Sequence, residues 1–380
     1  LSKEVKELDD NRERDDLQMV TLAAEVAMLR VIAGSLRKIE RDTTYTDVSK
    51  WQVAGMSDIS AIAATLSVML SKRAGLLFDA GAKDIDSWAE PLFEASGRPF
   101  RSVMGIPFSK QSITSGASKA AKDVESMCRT SVMRVISHDG TATPIVQAYR
   151  DYLTNAVSAM RSSGETAYQQ AYDHMVKQLA SGGVRVQYES GATRELYSAV
   201  MGNIMDNYRM TMQEARDEVG RAFGSDGVEV SAHGMCAEDH APYQGRQFTN
   251  VQFQTIQDGL ERPIAQGYNC RHQTFPILLG VSKQANTPEQ LKKYREQSSR
   301  KVTIGDREMT AYEFTQRQRA METSVRKLKA QRMVLSEAGC DTSGVDASID
   351  ATVKRYRQES KAAGVRTRED RMVAYEWEMR

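Results

Sequence analysis

The feature that most constrains this chain is an apolar stripe near its start. Across residues 17–39, Met19, Leu22, Val26, Leu29, Ile32, Leu36 and Ile39 recur at three- and four-residue steps. On a helix of 3.6 residues per turn that spacing gathers them on one face. A face of that width has to be covered, so long helices packed on one another are expected. Residues 3–16 are dense in charge, with Leu8 almost the only apolar anchor. They read as a solvated helical lead-in or as an arm that orders on a partner.

Further helices are expected downstream. Residues 43–53, with Thr44, Tyr45, Thr46 and Trp51, should interrupt the pattern, and helix should resume at about 57–70. Residues 109–137 and 144–180 continue it, with Pro99 and Pro107 bracketing a connection. The character changes at Ser181-Gly182-Gly183. Residues 184–188 alternate like a strand, residues 193–223 carry a long helical pattern, and residues 228–230 again look like a short strand. Thr287-Pro288-Glu289-Gln290 spells a helix start with a capping box, and so do Thr310 and Glu313. Between them, Gly305-Asp306 marks a hairpin within residues 302–309. Helices to about Ala338 and over 345–363 would form an antiparallel pair. The expected architecture is mainly α with a small α+β module. It comprises an elongated helical region (1–180), a central α+β module (181–282) and a C-terminal helical hairpin (283–380).

The chain has 380 residues, of which 41% are hydrophobic and 27% charged, enough to bury sizeable cores in two or three domains. A formal net charge of +1 argues against coating nucleic acid through an overall field. No uninterrupted apolar run approaches the ~20 residues that span a bilayer, so no membrane partner is expected. The chain opens on Leu1 and shows no signal-peptide pattern. Four scattered cysteines, Cys128, Cys236, Cys270 and Cys340, suit a reducing compartment better than a disulfide framework. No glycine-rich phosphate loop is present, which argues against an ATPase or a dinucleotide enzyme.

Rare residues crowd into 231–272. Three of the five histidines lie there, His233, His240 and His272, together with Cys236 and Cys270. Cys236, His240, Cys270 and His272 could hold a tetrahedral zinc by ligand chemistry. The Cys-x-His pair is closer than usual zinc spacing, and the rival expectation is that these side chains satisfy one another in a small core. A nucleophile–base–orienter set of Cys236 or Cys270 with His240 and Asp239 matches no familiar local signature.

The same stretch carries a resemblance. Val228-Glu-Val-Ser-Ala-His233-Gly is followed by Asp239-His240-Ala-Pro-Tyr-Gln244-Gly245-Arg-Gln-Phe248. Then come Gly267-Tyr-Asn269-Cys270-Arg271-His272, Phe275-Pro276 and Gly280-Val-Ser282. In that order they resemble the hallmark of the phage minor capsid protein family, distantly related to Mu F-like and SPP1-type head morphogenesis proteins. The matching positions are His233, Asp239, His240, Gln244, Gly245, Asn269, Cys270, Arg271, His272 and Pro276. Cys236 falls outside the pattern, and Tyr243 stands where the family often has tryptophan.

The resemblance implies a minor structural protein of a tailed-phage head rather than an enzyme, with no cofactor required. Its partners would be the portal, the major capsid protein or scaffold, and packaged DNA. It would be present in several copies per particle, in the host cytoplasm during assembly and in the head of the virion. The rival classes are a metal-dependent hydrolase or nuclease built on the His/Cys cluster and a DNA-contacting head protein. For the last, Arg317, Arg319, Arg326, Lys327, Lys329 and Arg332 make residues 312–334 basic, suited to phosphates or to an acidic portal surface. Met201, Met205, Met210 and Met212 share one helical segment and suit adaptable core filling or a partner-facing surface.

Overall fold

The N-terminal stripe becomes the inner face of α1 (Lys3–Arg37), on which Leu17, Met28, Ile32 and Leu36 are fully buried. The structure is a computed structural model that describes residues 3–40, 42–95, 108–136, 140–265 and 270–374. Pro99, Pro107 and Asn269 lie outside these described residues. Asp16, at the end of the charged lead-in, pairs with Arg73 at 3.2 Å.

α2 (Tyr45–Ala95) begins well before the expected resumption at residue 57. The β-branched and aromatic residues that suggested a break are absorbed because Thr44 caps the helix. Its Oγ1 accepts from the Asp47 amide at 3.1 Å, and its own amide donates to Asp47 Oδ2 at 3.1 Å. α3 (Phe108–Met127) is shorter than expected, because the helix ends before Met133–Ile136, which forms strand β1. Met133 and Val135 of β1 point into the core while Arg134 and Ile136 are only partly buried, a period of two rather than 3.6. β2 (Ala142–Pro144) leads into α4 (Ile145–Gly182), and β3 (Arg185–Gln187) and β4 (Thr193–Glu195) precede α5 (Leu196–Phe223). These strands form an antiparallel sheet ordered β2-β1-β3-β4.

A single apolar core extends from Leu17 through Val219 to Ala338, crossing residue 180. Phe78 of α2 meets Tyr208 of α5 edge-on at 5.6 Å, and Phe93 meets Phe223 at 5.4 Å. Several helix crossings are tight enough to require glycine. A Cβ on Gly55 would sit 2.2 Å from Tyr149 Oη, and one on Gly116 would sit 2.1 Å from Thr211 Oγ1. The change of character at residue 181 is therefore a change of local structure, not of packing. Of the methionines on α5, Met201, Met205 and Met212 are buried core filling, while Met210 is 51% exposed.

Two helical stretches, Asp16–Arg37 and Tyr45–Ser87, are long and apolar enough to cross a membrane by length and composition. The expectation that no uninterrupted apolar run is that long concerned unbroken runs, whereas these helices qualify on average hydropathy. The interspersed Ser, Thr and Gly residues break the apolar runs but leave the average hydropathy high. The first stretch is mostly covered by protein, as a core helix is; the second is mostly uncovered.

The far face of α5 carries the α+β module. β5 (Gly227–Val230) is the centre of a three-stranded antiparallel sheet, flanked by β6 (Gln247–Thr249) and β7 (Thr274–Ile277). α6 (Asn250–Asp258) follows β6. The hallmark residue Pro276 sits on β7 against Gly220 of α5, where a Cβ would come within 2.6 Å of it.

α7 (Pro288–Ser299) starts with the expected Thr287/Gln290 capping box and Pro288. The hairpin β8 (Lys301–Ile304) and β9 (Arg307–Thr310) turns through Gly305 at φ 60° and feeds α8 (Ala311–Glu337). α9 (Ser343–Ala363) packs antiparallel on α8, with Arg317 bonded to Glu359, Tyr356 to Glu322 and Arg332 to Asp346. The described residues are thus mainly helical with small antiparallel sheets, mainly α as expected.

At the start of α8, Thr310 Oγ1 accepts from the Glu313 amide at 3.2 Å, and Glu313 reaches back to the Thr310 amide at 2.7 Å. Thr310→Ala removes one half of that reciprocal pair and is expected to cost about 1 kcal/mol. Urea denaturation of the variant checks this; an unchanged midpoint would mean that the cap is dispensable.

Candidate functional site

Backbone hydrogen bonds place the rare residues. After β5 the chain enters a loop pinned by Gln244, whose Oε1 accepts from the His233 amide at 3.1 Å. Gly245, at φ +69°, donates to the Val230 carbonyl at 2.8 Å and leaves no room for a Cβ beside Leu291. These hallmark residues thus hold the loop that carries His233, Cys236 and His240. On the other side, β7 is entered through Cys270, Arg271 and His272. Ser231 bridges the two segments, since its amide donates to Gln273 O at 2.8 Å and its hydroxyl accepts from the Gln273 amide at 2.9 Å.

Four of the singled-out residues come together here. Cys270 Sγ lies 3.4 Å from His240 Nδ1 and 3.5 Å from His272 Nδ1. Cys236 Sγ lies 3.5 Å from the other nitrogen of His272, Nε2. His240 Nε2 is 2.7 Å from the Arg262 carbonyl, to which only an N–H can bond, so Nε2 carries a proton. Cys236 Sγ donates to Ala237 O at 3.2 Å, and its sulfur then accepts from His272 Nε2. Both δ-nitrogens are thereby turned toward the one sulfur of Cys270. His233 stacks on His272 with ring centroids 4.5 Å apart.

The electrostatics follow from burial and these contacts. Burial pushes the Cys236 thiol up to about 12 and pulls His272 down to about 3, helped by His233 and His240 beside it. Burial also pushes Cys270 upward, but its hydrogen bond with the His240 ring and those from the Ala265 and His272 backbone amides outweigh it and hold the thiol below its ordinary range. Its hydrogen bond with Cys270 raises His240 despite burial.

Backbone strain marks the same place. Met235 (φ 56°) and Ala265 (φ 63°) are the positive-φ non-glycine residues among those described. Met235 lines the site, and the Ala265 amide points at Cys270 Sγ at 3.5 Å. Strain of this kind persists where the surroundings over-determine it.

The cluster forms one wall of a half-open cavity of about 230 Å³ lined also by Arg262, Arg271, Tyr312, Gln316 and Arg319. Tyr312, Gln316 and Arg319 come from the first turns of α8, on one face at i, i+4 and i+7. Of these three, Tyr312 and Gln316 carry no cysteine or histidine signal in the sequence, and nothing local ties them to residue 240. Arg262 was likewise missed; it binds Asp239 Oδ2 through two nitrogens at 2.7 and 3.0 Å, holding the hallmark aspartate beside His240.

The basic residues of α8 do not form one surface. At 100° per residue they are spread around the helix. Arg317 is paired with Glu359, Lys327 with Glu195 and Arg332 with Asp346. Arg326 is buried and donates to the Arg371 carbonyl. Burial holds the Lys329 ammonium below its ordinary range.

The sequence model of phage minor capsid protein 2 matches residues 14–369, spanning the helical bundle, the module and the C-terminal hairpin. The chain belongs to that family. No curated protein and no solved structure matches it significantly. Membership makes this minor capsid protein a structural, virion-associated component that associates with other head proteins, and suggests a structural rather than an enzymatic role. Within the minor capsid protein, Gln244, Gly245 and Pro276 build the module, while His240, Cys270 and His272 meet at its cavity.

Proposed function

We propose that this minor capsid protein is a connector in the head of a tailed phage, joining portal, inner shell surface or scaffold during assembly in the host cytoplasm. The family match over residues 14–369 carries this reading. Its build supports it. Helices of 35, 51 and 38 residues give long rigid contact surfaces. α2 also leaves the apolar side chains of Val53, Val68 and Leu76 exposed at separate points along its length.

Imaging of heads assembled with and without the protein tests the proposal. Density at the portal vertex or on the inner shell surface, lost in heads without the protein, is expected. Normal heads with no such density, or density confined to the tail, would overturn it.

A further inference from the structure

We propose that His240, Cys270 and His272 form a three-ligand zinc centre, with the fourth position facing the cavity and taken by water or a small anionic oxygen ligand. Cys236 is excluded from the coordination sphere and serves as a hydrogen-bond partner behind His272. The proposal is independent of where in the head the protein sits.

The spacing is the first argument. A tetrahedral zinc with Zn–S of about 2.3 Å and Zn–N of about 2.0–2.1 Å places sulfur and nitrogen roughly 3.5–3.6 Å apart. Cys270 Sγ stands 3.4 Å from His240 Nδ1 and 3.5 Å from His272 Nδ1, and the three donor atoms lie within 4.8 Å of one another. Two imidazoles and a thiolate are the donor set that a borderline-soft divalent cation takes.

Orientation is the second. Metal-bound histidines characteristically donate their other ring N–H to a fixed acceptor, which sets tautomer and ring angle. Here His240 Nε2 is bonded to the Arg262 carbonyl at 2.7 Å, and His272 Nε2 faces Cys236 Sγ at 3.5 Å. Both δ-nitrogens then present lone pairs to Cys270, and a single thiol proton can satisfy only one of them. A cation among the three satisfies all. The Ala265 amide, held at positive φ, donates to the same sulfur and favours its thiolate form.

Openness is the third. Cys236 lies on the Nε2 side of His272, away from Nδ1, so it does not close a Cys₂His₂ tetrahedron. The cavity does reach His240, Cys270 and His272, and the positive charge of Arg271 and Arg319 in its wall favours an anionic oxygen as a fourth ligand. Such a centre would tie the loop after β5 to the entry of β7, next to α8.

The test is metal analysis of the full chain purified with zinc and freed of excess, combined with X-ray absorption. About one zinc per chain is expected, with one sulfur, two imidazole nitrogens and one further light atom in the shell. Cys270→Ser and His272→Ala should lose it. Cys236→Ala should keep a one-sulfur shell while weakening affinity about 10–100-fold. Cobalt substitution gives a second reading, since one thiolate-to-cobalt band should persist in Cys236→Ala and vanish in Cys270→Ser. Far-ultraviolet dichroism of each variant shows that the helical bundle remains folded, and the wild-type spectrum stands without any variant. Absence of metal in the wild-type protein would overturn the proposal in favour of a Cys270 thiolate–His240 imidazolium pair. A two-sulfur shell would overturn it in favour of a closed site.

Discussion

Replacing Phe78 by alanine is expected to lower the stability of the whole chain by about 3–5 kcal/mol, the usual cost of emptying a buried aromatic site. Phe78 is fully buried on α2, and its ring abuts Tyr208 of α5 at 5.6 Å. Neighbouring space cannot collapse into the gap easily. Gly81, one turn further on, already lies so close that a Cβ there would meet Met212 Sδ at 2.4 Å. The position also tests how far cooperativity extends. Phe78 belongs to the expected helical region, Tyr208 to the expected module, yet one core holds both. Urea unfolding followed by helical dichroism and by tryptophan fluorescence should shift as one transition. Two separated transitions, or a loss under 1 kcal/mol, would mean that the bundle does not depend on α5.

The second large effect concerns Glu25, a carboxylate on the buried side of α1. Its Oε1 accepts from the Val184 amide at 2.9 Å, while Oε2 is buried without a partner. Burial raises its pKa from 4.5 to about 7, with Glu195 adding to the rise and Lys327 and Arg185 opposing it. The folded state therefore holds this proton more tightly than the unfolded chain does. Folding is unpenalised by Glu25 below the unfolded value; stability falls as pH climbs from about 4.5 to about 7, and levels off above that. At 1.36 kcal/mol per pKa unit, the penalty above pH 7 is on the order of 3 kcal/mol. Glu25→Gln keeps an acceptor for Val184 and carries no charge. Its advantage over the wild type should grow between pH 5 and pH 8, read as the difference between their urea midpoints. An advantage independent of pH would show that Glu25 is ionised throughout, contrary to the burial argument.

The sequence reached much of this fold through local chemistry. The Thr287 and Thr310 boxes are reciprocal hydrogen bonds within four residues, so local sequence alone specifies them. The hairpin at Gly305 depends on a left-handed residue that glycine supplies. Local reasoning failed at Tyr45, where the Thr44–Asp47 cap outweighs poor helix formers. It failed again at Met133, where pairing with β2 and β3 decides the conformation. The basic residues of α8 show a different limit of sequence reading. Their charges are visible in the sequence, but Glu195, Asp346 and Glu359, which pair with three of them, are brought there by tertiary packing.

For the site, the sequence by itself determined the ingredients: the crowding of His233, Cys236, His240, Cys270 and His272, the family to which the block belongs, and the place of Cys236 outside its pattern. Tertiary structure decided the arrangement. Which nitrogen of an imidazole faces Cys270 depends on what its opposite nitrogen bonds. Those acceptors, Arg262 O for His240 and Cys236 Sγ for His272, lie 22 and 36 residues away. The cavity wall from Tyr312 to Arg319 lies farther still along the chain. Spacing in sequence fixes position along a helix or strand, whereas ring orientation and cavity closure are set by contacts that exist only once the chain has folded.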